Sequence, residues 1–228
     1  MSHYAVAVFS DDGDFERLLA PYGETNEAYF VKTHYDAADV RKEFEKFRVE
    51  NPNWTFKMYL ENFGYTRDGD GLATYSNPNA KWDYYSLDGK SYLFDLRDDV
   101  SPDECDDGYY RKHDYDWYPV DEECEDDARE FWRTYIVPDD PKIQPPTIFT
   151  KEYYRVRFHT EDQYVKEVSR TVPYAFVTPD GVWHAPGTVG WFALSNDTAD
   201  SWNRYVDEWD SWLLSEANPY VSLVDCHI

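Results

Sequence analysis

Residues 95–130 are the feature that most constrains the fold of this 228-residue chain. The segment contains 16 Asp and Glu against four Lys and Arg, so its net charge of −12 is half of the −24 carried by the whole chain. Blocks of like charge usually stay disordered because they repel each other. Here aromatic residues interrupt the charges, and their rings need an apolar environment in which to pack. We therefore expect the segment to form an ordered anionic surface rather than a solvated tail.

Aromatic residues also dominate the composition of the rest of the chain. They make up 19% of the residues, with 21 Tyr and 9 Trp, although the mean hydropathy is only −0.80. Disordered chains are poor in aromatics because they cannot bury enough apolar surface to offset their conformational entropy. The chain is therefore expected to fold, as one large domain or two small ones.

The strongly acidic balance, with a pI near 4.4, narrows the classes of partner. Nucleic-acid binding depends on Lys and Arg that neutralise phosphates, so direct binding to DNA or RNA is disfavoured. An anionic membrane surface is disfavoured for the same reason. A basic protein is favoured, because opposite charge steers the two molecules together. The alternative is that the acidity serves only solubility.

The cysteines and the N-terminal sequence predict a cytoplasmic protein. Three cysteines is an odd number, and no CxxC pair is present, which fits a reducing compartment better than a disulfide framework. The first residues, MSHYAVAVFSDD, have neither a basic region nor a long apolar run. No signal peptide or membrane anchor is therefore expected.

Apolar runs and turn signals predict the strands. The runs HYAVAVFS at 3–10, GWFAL at 190–194 and YVSLVDCHI at 220–228 predict single strands. Two hairpins are predicted, one over 81–94 around Asp-Gly and one over 174–185 around Pro-Asp-Gly. Residues 65–80 are polar and rich in Gly and Asn, which indicates a loop.

Apolar residues at helical spacing predict the helices. The spacing indicates helices over 36–50, 121–135 and 197–216, together with the later half of 151–172. These elements predict an α+β fold, an antiparallel sheet with helices on one face, in which the C-terminal part pairs with the first strand in a ferredoxin-like arrangement. The predicted divisions are 1–94, a helical acidic insertion over 95–146, and 147–228. If 95–130 is an insertion, the core should fold without it.

Four blocks of the sequence form a recognisable pattern: YAVAVFSDDGDFERLLAPYGE, KWDYYSLDG, PYAFVTPDGVWHAPGTVGWFALSNDTADSWNRYVDEW and YVSLVDCHI. In these blocks the chain resembles a group of uncharacterised phage and prophage proteins. In that group the second block often continues into another Gly and Trp, whereas here it continues as LDGKSYLF, and the acidic segment is not part of the shared pattern. The resemblance implies a phage-borne cytosolic protein and implies no reaction.

The sequence contains no catalytic or metal-binding motif. Asp68-Gly69-Asp70-Gly71 resembles the start of a calcium loop, but Asn79 stands where the bidentate Glu belongs. Asp225 and His227, with His184, could supply metal ligands, and a structural role is favoured for them. Cys105 and Cys124 have acidic neighbours, which suppress thiolate formation. We expect no enzyme, no metal and no cofactor; a metal-dependent hydrolase using scattered carboxylates remains an alternative.

The acidic segment supplies the candidate partner-binding residues. Within a strand, Asp114 and Asp116 would project from one face about 6.6 Å apart, and such rows of carboxylates can imitate a phosphate backbone. Aromatic rings between them could supply contacts of the kind found at interface centres. The predicted binding residues are Asp106, Asp107, Asp114, Asp116, Asp121, Glu122 and Glu123, with Tyr109, Tyr110, Tyr115 and Trp117.

These observations predict a phage-encoded inhibitor of a host defence protein. The inhibitor would act as a DNA or RNA mimic that occupies a nucleic-acid-binding surface of its target. A Cas effector is the leading candidate, which would make the protein an anti-CRISPR, because such effectors hold nucleic acid in positively charged channels. A restriction enzyme is the next candidate. The alternative is a non-enzymatic phage accessory or structural protein whose acidity serves solubility.

Overall fold

A computed structural model describes residues 3–101, 105, 108–117, 122–188 and 195–228, without the side chains of 122 and 123. The strands in this part of the chain are β1 His3–Ser10, β2 Val31–Tyr35, β3 Thr66–Asp68, β4 Gly71–Ser76, β5 Tyr84–Ser86, β6 Tyr110–Arg111, β7 Ala175–Val177, β8 Trp183–His184 and β9 Tyr220–His227. The α-helices are α1 Phe15–Leu19, α2 Ala37–Glu50, α3 Phe56–Asn62, α4 Glu122–Phe131, α5 Lys151–Phe158, α6 Glu161–Val168 and α7 Ala199–Leu213. The chain divides into a larger unit, 1–19 with 84–228, and a smaller unit, 20–83.

An open sheet of mixed direction organises the larger unit. Its strand order is β5-β9-β1-β7-β8, with β6 pairing on β9. Strand β1 lies in the middle because its apolar run suits burial on both faces, and Val6, Ala7, Val8 and Phe9 are all fully buried. It pairs antiparallel with β9 along its whole length, from His3 opposite His227 onward. The predicted pairing of the first and last strands is therefore confirmed.

The direction of one strand pair corrects the predicted antiparallel sheet. Strands β1 and β7 run parallel, with Val6 opposite Ala175. Parallel neighbours need a long connection, and here more than 150 residues separate them along the chain. The α+β class is confirmed with a mostly antiparallel sheet, but the ferredoxin-like arrangement is not.

Helix α7 covers one face of this sheet and forms the main core with it. Trp209 is fully buried at its centre, and its ring lies 6.0 Å from Phe9 and 5.3 Å from Phe176, centroid to centroid. Thr198 begins the helix with a capping box, in which its side chain accepts from the backbone N–H of Ser201. The predicted helix over 197–216 is confirmed, since its broad apolar face is the one that packs on the sheet.

The two predicted hairpins have different outcomes. Strands β7 and β8 form the hairpin predicted over 174–185, with Gly181 in the turn at a φ of +82° that suits glycine. The hairpin over 81–94 is wrong, because only β5 forms and the chain then enters a 3-10 turn at Ser91–Leu93. The Asp88 turn is held to β9 instead: Asp88 N–H donates to Ser222 Oγ at 3.2 Å. The predicted strand over 190–194 lies outside the described residues.

The smaller unit corrects the loop predicted over 65–80. That stretch contains β3 and β4, which pair around a turn at Gly69 and extend into a three-stranded sheet of order β2-β4-β3. The predicted helix over 36–50 is confirmed as α2. Its apolar side joins α3 and the sheet in a separate core of Val40, Phe44, Tyr59 and Leu72.

A second cluster in the larger unit joins α4, α5 and α6. Helix α4 continues as a π-helical turn, Trp132–Ile136, and both ends of that turn are buried. Both halves of the 151–172 stretch are helical, as α5 and α6. The shared core consists of Ala128, Trp132, Ile136, Tyr154, Phe158, Tyr164 and Val165.

The acidic insertion predicted over 95–146 is not confirmed. The two units do not follow the predicted boundaries at 94 and 146. Strand β6 pairs with β9, and Trp117 belongs to the core beneath α7. Part of the acidic segment is therefore built into the sheet and core of the larger unit.

Candidate binding surface

Two short pieces of the acidic segment pair with each other to form what we call the acidic ribbon, residues 95–99 and 114–116. Asp116 N–H donates to the carbonyl of Asp95, and Arg97 N–H donates to that of Asp114, each at 2.9 Å. Leu96 and Tyr115 form an antiparallel bridge between these bonds. The ribbon carries five carboxylates and one guanidinium.

Two carboxylates of the ribbon stand opposite each other. Side chains alternate along a strand, so the half-buried Leu96 and Tyr115 share one face and Asp95 and Asp116 share the other. Both aspartates are exposed. The two carboxylates therefore add negative charge to one exposed face of the ribbon.

Asp114 does not lie in a strand, which was the premise for its predicted row with Asp116. It ends a 3-10 turn, Lys112–Asp114, rather than lying within a strand. Its Oδ2 accepts from Arg111 N–H at 2.7 Å, which turns the carboxylate back onto its own chain. The backbone pairing of the ribbon brings Asp95 opposite Asp116.

Trp117 anchors the ribbon to the core. Its side chain is 6% exposed, and its ring lies 4.8 Å from Phe94 and 5.4 Å from Trp209, centroid to centroid. The indole Nε1–H donates to the carbonyl of Lys112 at 2.6 Å. Tyr115 packs against the same indole at 5.0 Å, and burial raises the pKa of its hydroxyl.

The other two predicted contact rings also pack within the larger unit. Tyr109 meets Phe15 edge to face at 4.7 Å, and Tyr110 lies in β6 with its ring 6.1 Å from Tyr115. Both are half-buried. The four predicted aromatic residues therefore hold the segment to the fold, whereas four aspartates of the ribbon are exposed: Asp95, Asp98, Asp99 and Asp116.

Lys112 fastens the same segment to the end of α7. Its side chain is fully buried, and Nζ donates to the carbonyls of Trp212 and Ser215 and to Ser215 Oγ at 2.8–2.9 Å. The last carbonyls of a helix lack partners within the helix and carry partial negative charge, which suits an ammonium group. Burial lowers the pKa of Lys112, and Glu216 opposes this shift.

Neighbouring residues extend this attachment to the loop before β9. Arg111 donates to the carbonyl of Asn218 at 3.1 Å and to the hydroxyl of Tyr220 at 2.8 Å. His113 N–H donates to Asn218 Oδ1 at 2.8 Å. The ribbon is thus presented by a segment that is fixed at several points.

Helix α4 carries a second group of exposed carboxylates, Asp126, Asp127 and Glu130. Arg129 lies among them and pairs with Glu161 and Asp162 of α6 at 3.8 and 3.3 Å. Guanidinium groups therefore offset part of the charge on this side.

Of the predicted binding residues, Asp106, Asp107 and Asp121 lie outside the described part, and Glu122 and Glu123 begin α4 with side chains that are not described.

The residues considered for metal binding have structural contacts. Asp225 pairs with His3 at 3.1 Å and with Lys90 at 3.4 Å, whereas His184 stacks on Phe176 and pairs with Glu208 at 3.3 Å. Among the described residues, no three potential ligands lie together. Nor does any helix in that part of the chain have the length and apolarity needed to cross a bilayer.

Sequence reasoning missed Asp95 as a member of the exposed pair. The alternating pattern Asp95-Leu96-Arg97 and Asp114-Tyr115-Asp116 was the available signal, since it predicts two short strands with charges on one face.

Comparison of the chain with known protein families, with curated proteins and with solved structures gave no match.

Proposed function

We propose that the protein is a phage-encoded inhibitor that binds a basic, nucleic-acid-binding protein of host defence through the acidic ribbon. The observation that carries this proposal is the exposed, opposed pair of Asp95 and Asp116 on a segment anchored by Trp117 and Lys112. A cationic partner would be attracted to carboxylates that share one exposed face of the ribbon. A preorganised site also loses less conformational entropy on binding than a flexible tail.

The partner class follows from charge. A chain with a net charge of −24 repels phosphates and attracts the positively charged channels that hold DNA or guide–target heteroduplexes. A Cas effector is the leading candidate target, and a restriction enzyme is the next. The resemblance to phage proteins and the expected cytoplasmic location in the host cell support this assignment. Direct nucleic-acid binding, membrane association and enzymatic activity form no part of it.

A competition experiment tests the proposal. The full chain, immobilised, is incubated with lysate of a host that carries a CRISPR or restriction system, and the captured proteins are identified. We expect the chain to capture a defence nuclease. Both the nuclease's own nucleic-acid substrate and moderate salt should release it, because both compete for the same cationic groups. Capture that nucleic acid leaves unchanged would contradict mimicry, and capture of phage structural proteins instead would favour the accessory role.

A further inference from the structure

A groove beside α5 combines aromatic walls with acidic side chains. One cavity of about 450 Å³ is lined by residues that include Glu152, Tyr153, Val156, Arg157 and Asp197. A second cavity of about 480 Å³ shares Tyr153, Arg157 and Asp197 with the first and adds the ring of Phe149. All of these residues belong to the larger unit and are separate from the acidic ribbon.

The base of the groove is a charged triad with one more carboxylate than cation. Arg157 Nη2 donates to Glu167 Oε1 at 2.8 Å and to Asp197 Oδ2 at 3.0 Å. The three side chains are only 16%, 15% and 9% exposed. One guanidinium neutralises only one of the two carboxylates, so the triad keeps a net negative charge.

The walls of the groove present apolar and aromatic surface to solvent. The rings of Phe149 and Tyr153 stack at 4.3 Å, and both are partly exposed. Val156, one turn along α5 from Glu152, is 61% exposed. Exposed apolar surface next to uncompensated negative charge favours a ligand that is itself cationic at one end and apolar along its stem.

We infer that this groove binds an arginine side chain from an extended basic segment of a partner protein. The guanidinium would lie over the Tyr153 ring, where the quadrupole of the ring attracts a cation. Glu152 and Asp197 would accept hydrogen bonds from its fork of donors. Val156 would contact an apolar neighbour on the partner. The inference deepens the proposed function, on which it rests for the expectation of a basic protein partner.

A peptide titration tests the groove without the target. The probe is the capped tripeptide acetyl-Leu-Arg-Leu-amide, added to the labelled full chain at low salt and followed by NMR. We expect saturable shifts confined to the amides of 150–157 and 197–199. Replacing the arginine with citrulline, which has nearly the same shape and no charge, should weaken binding by about tenfold, as expected when a charge-assisted hydrogen bond is lost.

Two variants with exposed side chains locate the site on the protein. Glu152→Lys and Tyr153→Ala should each weaken binding by about fivefold or more, because each removes one attraction for the guanidinium. The matched control is Glu45→Lys, an exposed residue of α2 with the same change of charge, which should change the affinity by less than about twofold.

Three results would overturn the inference: no saturable binding, equal affinity for the citrulline peptide, or equal weakening by Glu45→Lys. These outcomes are separable from failure of the proposed function. Peptide binding by a protein that captures no defence nuclease refutes only the proposed function. If the chain captures the nuclease but does not bind the peptide, only the inference about the groove is refuted.

Discussion

Replacing Trp117 with alanine tests whether the acidic ribbon is fastened to the core. The indole is 6% exposed, packs on Phe94 and Trp209, and donates to the carbonyl of Lys112. Truncating a buried Trp to Ala costs about 3–5 kcal/mol, since the cavity relaxes only partly. Losing the hydrogen bond adds about 1 kcal/mol. We expect Trp117→Ala to lower the free energy of unfolding of the larger unit by about 4 kcal/mol or more.

A phenylalanine at the same position separates the two contributions. Trp117→Phe keeps most of the ring contacts but leaves the carbonyl of Lys112 without its donor, so it should cost about 1–2 kcal/mol. Tyr92→Ala is the control, because it removes an aromatic side chain that is 72% exposed in the same region. It should change the stability by less than about 0.5 kcal/mol.

The assay must report on the larger unit alone, because the smaller unit has its own core. Hydrogen exchange of the β9 amides in the native state, measured across a urea series, gives the free energy of opening of the sheet. The reasoning is refuted if Trp117→Ala and Tyr92→Ala lower this free energy equally. A loss below about 1 kcal/mol in Trp117→Ala would refute it too, since buried-ring truncations cost several times more.

Three further predictions follow from the same contacts. Lys112→Met should lower stability by about 1–3 kcal/mol in urea unfolding, because it leaves the carbonyl of Ser215 without its Lys112 donor and removes one of the donors to the carbonyl of Trp212; an unchanged midpoint would contradict this. Replacing 95–130 with a Gly/Ser linker should abolish the cooperative transition of the larger unit, contrary to the expectation from sequence, since it removes β6 and Trp117; a sharp thermal melt would show that expectation to be right. Stability should fall as pH rises above 9.0, the ordinary pKa of a thiol, because burial raises the pKa of Cys226. The folded state then keeps a proton that the unfolded state releases. In alkaline unfolding curves, the free energy of unfolding of Cys226→Ala should decrease less with pH than that of the unaltered chain.

The central elements of the larger unit could be predicted from the sequence because local patterns specify them. The apolar run at β1 and the Pro-Asp-Gly turn between β7 and β8 each act within a few residues. The parallel direction of the β1–β7 pair could not be predicted in this way, since no local pattern specifies whether two distant strands run parallel or antiparallel. Similarly, the Asp-Gly at 88–89 is a strong hairpin signal, but β5 pairs with β9 rather than with a strand that follows the turn.

The sequence predicted the charge of the candidate surface but not the arrangement of its carboxylates. Composition predicts that 95–130 is anionic and ordered by its rings, and the described rings of Tyr109, Tyr110, Tyr115 and Trp117 pack within the larger unit. Burial of Lys112 has no local signal, because its acceptors belong to Trp212 and Ser215, about 100 residues away. Without that contact, the turn that redirects Asp114 cannot be derived from the sequence.

The most direct measurement of the central claim compares the affinities of two charge variants for the captured defence nuclease. The ribbon variant is Asp95→Asn, Asp98→Asn and Asp116→Asn, and the matched control is Glu16→Gln, Glu43→Gln and Glu45→Gln, with the same change of net charge at exposed positions. Close charge pairs at interfaces are worth about 1.5–7 kcal/mol, whereas distant charges mainly alter the association rate. The ribbon variant should therefore bind at least about tenfold more weakly than the control, with both melting at similar temperatures. Equal losses in the two variants, or full affinity in the ribbon variant, would contradict the account.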